Sequence, residues 1–317
     1  MNLPYINATA LAALLPPAVA VSALEDALRG GQDPELDSPR LFAPLSAGEF
    51  LLMPAESAKY AGIKVATVAP GNPANGHPKI QGTYLLLDRE ALTPLAALDG
   101  AELTLIRTSA VTTLALKHLL ALRGSPSAGT VVVFGSSLQA DRHIAALHEV
   151  CGVDSLIVVG RRAEAAQALA HKWSGRGLAA RAGEAADVAG ADVVVCATSS
   201  SVPLFDGALV ADHAVVAAIG AHGLDAREID PSLALRADVV VEGRGSALRE
   251  AGDLIPARSA RQWQERGLAT LSDLVNGHFA PEPGRPLLYT GVGMSWEDIV
   301  SAGKAFELFA AAGTSVN

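Results

Sequence analysis

Short runs of consecutive apolar residues, each followed by sequence with helical spacing, dominate the middle of the chain. The first, Thr130–Phe134 (TVVVF), leads through a glycine turn into an amphipathic stretch ending at Leu147. Others follow at Ser155–Arg161, Asp192–Thr198, Ala214–Gly220 and Asp238–Gly243, with a weaker one near Leu178–Arg181. Runs that are apolar throughout, without alternation, mark strands of a parallel sheet buried on both faces. Leu116–Tyr289 therefore reads as one doubly wound α/β domain.

From Arg40 to Arg107 the pattern changes. Leu41–Pro54, Gly62–Asn72, Gln81–Glu90 and Glu102–Ala110 suit an antiparallel sheet, separated by turn signals at Pro70-Gly71-Asn72-Pro73 and Asn75-Gly76. Helical sequence (Asn7–Arg29) precedes them, and a final helix (Trp296–Ala312) closes the chain. The expected organisation is a Rossmann-type domain, 116–291, inserted in a discontinuous α/β domain made of 1–115 and 292–317.

Composition narrows the function classes. Half of the residues are hydrophobic and 18% charged, enough to fill two cores and leave apolar surface for a partner subunit. The formal net charge of −9 argues against nucleic acid or an anionic membrane as a partner. Cys151 and Cys196, the only cysteines, lie in apolar contexts and are expected to be inert. No Cys/His cluster has metal-ligand spacing, so no metal is expected. The apolar run Ala10–Ala23 contains Pro16-Pro17, lacks a basic flank and leads into Glu25-Asp26. It reads as a core helix, not a signal peptide or membrane span, and the expected location is cytoplasmic.

The turn after the first parallel strand reads Gly135-x-Ser137-x-x-Ala140, a relaxed form of the dinucleotide fingerprint. Strand, glycine turn and helix in that order would offer backbone N–H groups to a pyrophosphate. Where the second strand ends, an acidic residue would bind the ribose 2′-hydroxyl of NAD; here stand Gly160-Arg161-Arg162. Two guanidiniums suit a 2′-phosphate, so NADPH is the preferred cofactor, with Glu164 leaving NADH use open.

Lys64–Pro73 (KVATVAPGNP), Arg107–Leu116 (RTSAVTTLAL) and Phe134–Leu147 (FGSSLQADRHIAAL) together resemble the ornithine cyclodeaminase/μ-crystallin family. Ile219–Asp230 and Gly291–Ala302 extend the resemblance over nearly the whole chain. It implies a homodimeric NAD(P)-dependent protein with a discontinuous substrate and dimerisation domain, acting on the C–N bond of amino or imino acids. Arg40, Lys64 and Arg107 are expected at strand ends or turns of that domain, and an α-carboxylate needs such convergent cations. The resemblance implies that they hold the substrate carboxylate, with Lys64 also near the reacting nitrogen; Met53 is placed with them. The cofactor set is Thr108, Gly135, Ser136, Ser137, Leu138, Gln139, Ala140, Gly160, Arg161, Arg162, Ala197, Thr198, Gly220, Gly293 and Met294.

One departure bears on mechanism. The cyclodeaminases and related alanine dehydrogenases carry an Asp six residues before the Glu that matches Glu228; here that position is His222, with Asp225 three residues on. Ornithine cyclisation is therefore disfavoured. His222 has two readings, a proton donor to an imine nitrogen or a loop histidine with no catalytic role. Trp296 has two as well, a pocket wall or the start of the last helix. The expected activity is NAD(P)H-dependent reduction of a cyclic ketimine carboxylate, Δ1-pyrroline-2-carboxylate or its six-membered homologue. The alternatives are ornithine cyclodeaminase, alanine dehydrogenase, or a non-catalytic ligand-binding protein of the μ-crystallin type.

Overall fold

In the computed structural model, residues 3–125 and 127–313 are described. The chain divides into two compact units, Met1–Val111 with Met294–Asn317, and Thr112–Gly293. The first division falls inside a helix. Residues 1–2 and 314–317 of the expected outer domain, and Pro126 of the inserted one, lie outside the described residues.

The first unit begins with β1 (Tyr5–Ile6), α1 (Ala8–Leu14) and α2 (Pro17–Arg29). The expected helix over Asn7–Arg29 is thus two helices, bent by 72° at their junction. The reason is Pro16-Pro17: a proline disfavours α conformation in the residue before it but suits the first turn of a new helix. There follow β2 (Leu41–Leu45), β3 (Gly48–Glu56), β4 (Tyr60–Val68), β5 (Ile80–Asp88) and β6 (Pro94–Asp99). The six strands form one sheet in the order β1-β6-β5-β4-β3-β2, antiparallel except for β1 against β6.

The segment Glu102–Ala110, expected as a strand, is helical. It belongs to α3 (Gly100–Leu122). Among the described residues α3 is the one single helix long and apolar enough to cross a bilayer, and 67% of its most apolar window is buried within the protein. A helix enclosed on nearly all sides loses the one-sided periodicity that would reveal it, and its Thr, Ile and Val residues imitate a strand.

The second unit contains β7 (Thr130–Phe134), α4 (Leu138–Cys151), β8 (Ser155–Val159), α5 (Ala163–Ser174), β9 (Ala179–Ala182), β10 (Val193–Cys196) and β11 (Val215–Ala218). It continues with α6 (Pro231–Arg236), β12 (Asp238–Val241), α7 (Arg244–Glu250), α8 (Ala260–Arg266), β13 (Ala269–Thr270), α9 (Leu271–Val275) and β14 (Leu287–Thr290). All eight strands pair parallel, in the order β13-β12-β14-β11-β10-β7-β8-β9. The fold is α/β with a doubly wound parallel sheet. Strand order reverses between β7 and β10, and in such sheets ligands bind outside the carboxyl ends at that reversal.

The chain then returns to the first unit as α10 (Ser295–Ala311), which packs on β3, β4 and β5 and against α2.

Candidate active site

Two clusters of buried polar side chains stand out, one in each unit.

In the first unit, β4 alternates. Gly62, Lys64 and Ala66 are buried, whereas Val65 between them is exposed. Lys64 therefore sits in mid-strand and points to the protected face, with Met53 on β3 and Tyr84 on β5 as its cross-strand neighbours. Arg107 lies on α3. These positions correct the expectation that both cations occupy strand ends or turns; the strand pleat and the helix carry them inward instead. Lys64 and Arg107 are 4% and 5% exposed, and burial of such groups requires partners.

The partners come from α10. Lys64 Nζ donates to Asp298 Oδ2 at 2.8 Å and to Thr104 Oγ1 at 3.2 Å. Arg107 Nη1 donates to Glu297 Oε2 at 2.6 Å, and its Nε lies 3.3 Å from Asp298 Oδ1. Both carboxylates are fully buried. They occupy the first turn of α10, where the helix dipole favours negative charge. Asp37 completes that end, its Oδ2 accepting from Ser295 N at 2.6 Å and Trp296 N at 3.1 Å. Trp296, at the second position of α10, is fully buried.

Burial lowers the Lys64 pKa to about 8, opposed by the charge of Asp298 and reinforced by the positive charges of Arg107 and Arg40. Arg40, half-buried ahead of β2, thus belongs to the same cluster. The four residues expected to hold substrate, Arg40, Met53, Lys64 and Arg107, are brought together in this unit. Thr108, half-buried on α3, and Met294, the residue preceding α10, lie in the same unit.

In the second unit, Gly135 follows β7 with φ +121°, a conformation that L side chains rarely adopt. A Cβ there would come 2.5 Å from the Ala197 carbonyl oxygen and 3.5 Å from the Ala140 methyl group. Turn, adjacent strand end and helix are packed as a dinucleotide fingerprint requires. Ser137 is the N-terminal cap residue of α4, yet its side chain makes no capping hydrogen bond. Backbone N–H groups of its first turn are thereby offered to an anion. Ser137 and Leu138 are exposed, Ser136 and Gln139 half-buried and Ala140 buried. Gly160, Arg161 and Arg162 follow β8, and both arginines are exposed. The residues present therefore fit a dinucleotide.

Behind that turn lies a second buried network. Glu228 is completely buried. Its Oε1 accepts from the backbone N and the hydroxyl of Thr198, both at 2.7 Å; its Oε2 accepts from Ile219 N at 3.1 Å and Gly220 N at 2.6 Å. One carboxylate thus ties the chain leaving β10 to the chain leaving β11. Gly220 permits the approach, since a Cβ there would overlap the Thr198 carbonyl oxygen. Burial pushes the Glu228 pKa up to about 7 against these hydrogen bonds. Asp253 supports the network from below, its Oδ1 accepting from Glu228 N and Ile229 N at 2.7 and 3.0 Å. Similarly, Glu242 accepts from Val292 N and Gly293 N at 2.9 and 2.7 Å, fixing the turn after β14.

Glu242, Glu297 and Asp298 were not among the residues singled out from sequence, and Glu228 entered there only as the match to the family's Glu that locates His222. The available signal was a carboxylate inside an otherwise apolar segment, a position where burial demands donors. His222 is exposed, with Nδ1 3.0 Å from the Val292 carbonyl oxygen, and Asp225 on the same loop is exposed too. Both cysteines are buried, and burial pushes their thiol pKa values up, which keeps the thiols protonated. Among the described residues there is no His/Cys/Asp/Glu group able to hold a metal ion.

Comparison with known proteins agrees with this arrangement. The chain is 34% identical over 313 residues to the Δ1-pyrroline-2-carboxylate/Δ1-piperideine-2-carboxylate reductase of Azospirillum brasilense, covering 98% of this chain and 97% of that protein. It shares its fold with the Thermococcus litoralis Δ1-pyrroline-2-carboxylate reductase solved with NADH and L-proline (TM-score 0.87, 24% identity, 99% and 100% of the two chains). An archaeal alanine dehydrogenase dimer with bound NAD has the same fold (TM-score 0.89, 24% identity, 100% and 98%). Residues 14–311 match the profile of the ornithine cyclodeaminase/mu-crystallin family. With that match spanning nearly its whole length, the chain belongs to the ornithine cyclodeaminase/mu-crystallin family.

Proposed function

We propose that this protein is an NAD(P)H-dependent reductase of cyclic ketimine carboxylates, taking Δ1-pyrroline-2-carboxylate to L-proline and accepting the six-membered Δ1-piperideine-2-carboxylate. The observation that carries this reading is the buried Lys64/Arg107 pair with Arg40 beside it, in a chain 34% identical to a reductase of both rings. Units 1–111 with 294–317 and 112–293 are the substrate and dinucleotide domains of that reading.

A reduced nicotinamide, when bound, supplies the hydride. The remainder falls to the chain. Arg107 offers a planar fork and Lys64 a point charge to the substrate carboxylate, and Arg40 adds a third cation. Clamping the carboxylate fixes the imine carbon in one orientation, an effect worth several kcal/mol through proximity alone. Lys64, with its pKa near 8, is charged at neutral pH and stabilises electron density at the nitrogen as the C=N bond becomes C–N. The nitrogen ends with one more proton, and His222 is the candidate donor if the imine arrives unprotonated. A protonated imine is already electrophilic, so little further acid–base machinery is needed.

For the dinucleotide, Gly135 to Ala140 would receive the pyrophosphate. Ala197, Thr198, Gly220 and Gly293 would line the site, and Thr108 and Met294 belong to the same set. Arg161 and Arg162 favour NADPH over NADH through a 2′-phosphate. The reading includes a homodimer formed through the first unit.

The decisive experiment follows NAD(P)H oxidation with pyrroline-2-carboxylate, piperideine-2-carboxylate, and pyruvate plus ammonia, and NAD⁺ reduction with ornithine. The cyclic imines should be turned over, and ornithine should give neither proline nor ammonia. Ornithine turnover at a rate near that of imine reduction would replace this reading with a cyclodeaminase.

A further inference from the structure

Lys64 lies in mid-strand, so whatever aims its ammonium group must come from other elements. Two groups do so. Asp298 Oδ2 accepts one hydrogen at 2.8 Å from α10. Thr104 Oγ1 accepts another at 3.2 Å from α3, while its own hydroxyl donates to the Gly100 carbonyl at 2.8 Å. An ammonium carries three hydrogens, and two fixed contacts set the direction of the third. Asp298 does more than pair with one cation. Its second oxygen lies 3.3 Å from Arg107 Nε, so a single buried carboxylate abuts both positive charges.

We infer that Asp298 is the positioning residue of the substrate clamp, holding Lys64 and Arg107 side by side and keeping Lys64 protonated for a carboxylate ligand. The inference rests on the reading of the clamp given above. Two like charges buried together repel, and each loses hydration, so neither conformation would persist without a compensating anion. A simple tie between α10 and α3 would not need this geometry, because Glu297 already pairs with Arg107 at 2.6 Å.

Every other charged neighbour leaves the task to Asp298. Arg107 on α3 and Arg40 ahead of β2 both drive the proton off Lys64. Tyr84, opposite on β5, is held as the neutral phenol by burial and by Asp298 and Asp37. Asp37 is engaged with the backbone of Ser295 and Trp296, and Glu297 with Arg107 and Met294 N. With its pKa near 8, Lys64 remains charged at neutral pH only narrowly. Loss of the Asp298 charge carries it across.

The test uses the full chain labelled with [¹⁵N]lysine, whose six lysines give a spectrum simple enough to assign. Asp298→Asn should lower the Lys64 titration midpoint by one pH unit or more. It should raise the KM for pyrroline-2-carboxylate at least ten-fold with a smaller change in kcat, and move the alkaline limb of kcat/KM with the lysine midpoint. NADH affinity should be unchanged. Thr104→Val removes only a neutral acceptor and should shift the same midpoint in the same direction by less. A folded Asp298→Asn protein with a lower Tm but an unmoved lysine midpoint and KM would reduce Asp298 to a structural tie and overturn the inference. Should that variant fail to fold, Asp298→Glu keeps the charge but displaces the carboxylate from both cations, and an unmoved lysine midpoint and KM in it overturn the inference equally. If the unmodified protein does not reduce the imine, the functional reading fails, while the lysine titration still decides whether Asp298 governs Lys64.

Discussion

Arg161 and Arg162 stand exposed with one residue, Gly160, between them and the end of β8, the strand that pairs with β7 ahead of the Gly135 turn. Their alanine double variant leaves that turn intact. Each charge-assisted contact to a 2′-phosphate is worth about 1.5–3 kcal/mol. NADPH should therefore bind at least about ten-fold more weakly in fluorescence titrations, with NADH little changed. Equal losses for both cofactors would refute the assignment. Lys64→Met tests the other unit. It removes a clamp charge and the charge near the nitrogen together, so kcat/KM should fall by at least ~100-fold. The dissociation constant for NADPH should stay the same. The variant should also be less stable, because Asp298 loses one of two buried cationic partners; stranding a buried charge outright costs about 3–5 kcal/mol, and the Arg107 contact that remains keeps the loss below that.

At the scale of elements, Glu228 fastens the segments after β10 and β11, and its stability effect has a definite sign. Its pKa is raised to about 7 in the folded state, against an ordinary value of 4.5. Its stabilising contribution is therefore complete below the unfolded value and is lost as pH rises through about 7, a difference of about 3 kcal/mol. Glu228→Gln should flatten the fall in urea midpoint between pH 5 and 8 relative to the unmodified protein. An identical pH dependence in the two would contradict the assignment. What the sequence disclosed at this scale follows from pattern length and burial. The Val-rich runs of β7, β8, β10, β11 and β12 were legible because buried parallel strands are apolar throughout. By contrast, β1 and β13 are two residues each, too short for any period to register. The β6 sequence PLAALD has no β-branched residue and is a strand because β5 and β1 pair with it on either side. In α3, Thr104, Ile106, Thr108, Val111, Thr112 and Thr113 mimic a strand, and tertiary enclosure overrides that propensity. The cations of the site were legible as unusual residues in apolar surroundings. Their carboxylate partners Glu297 and Asp298 were not, since a Glu-Asp pair in the first turn of a helix is ordinary N-terminal composition.

For the molecule as a whole, the first unit's sheet has one face beneath α10, and its opposite face carries apolar side chains that are partly exposed. On that opposite face Leu52, Val65 and Thr83 form one cross-strand row, and Pro54, Ile63 and Leu85 the next. Val65 is 36% exposed, and Leu41 and Leu45 on the same face of the outermost strand β2 are exposed as well. A contiguous apolar face next to an open strand edge is an association surface in a soluble protein. Self-association through it would be isologous, the same patch meeting itself about a two-fold axis. Because β4 contributes to both faces, the outer one can be altered while Lys64 keeps its inward position. Ile63→Asp with Val65→Asp places two carboxylates at the centre of the patch, and across a two-fold interface each would confront its own copy. The unmodified chain should sediment at twice 32.4 kDa at micromolar concentration, and the double variant at 32.4 kDa. A double variant that remains dimeric would place the interface elsewhere, and a monomeric unmodified protein would remove the dimer from the functional reading altogether.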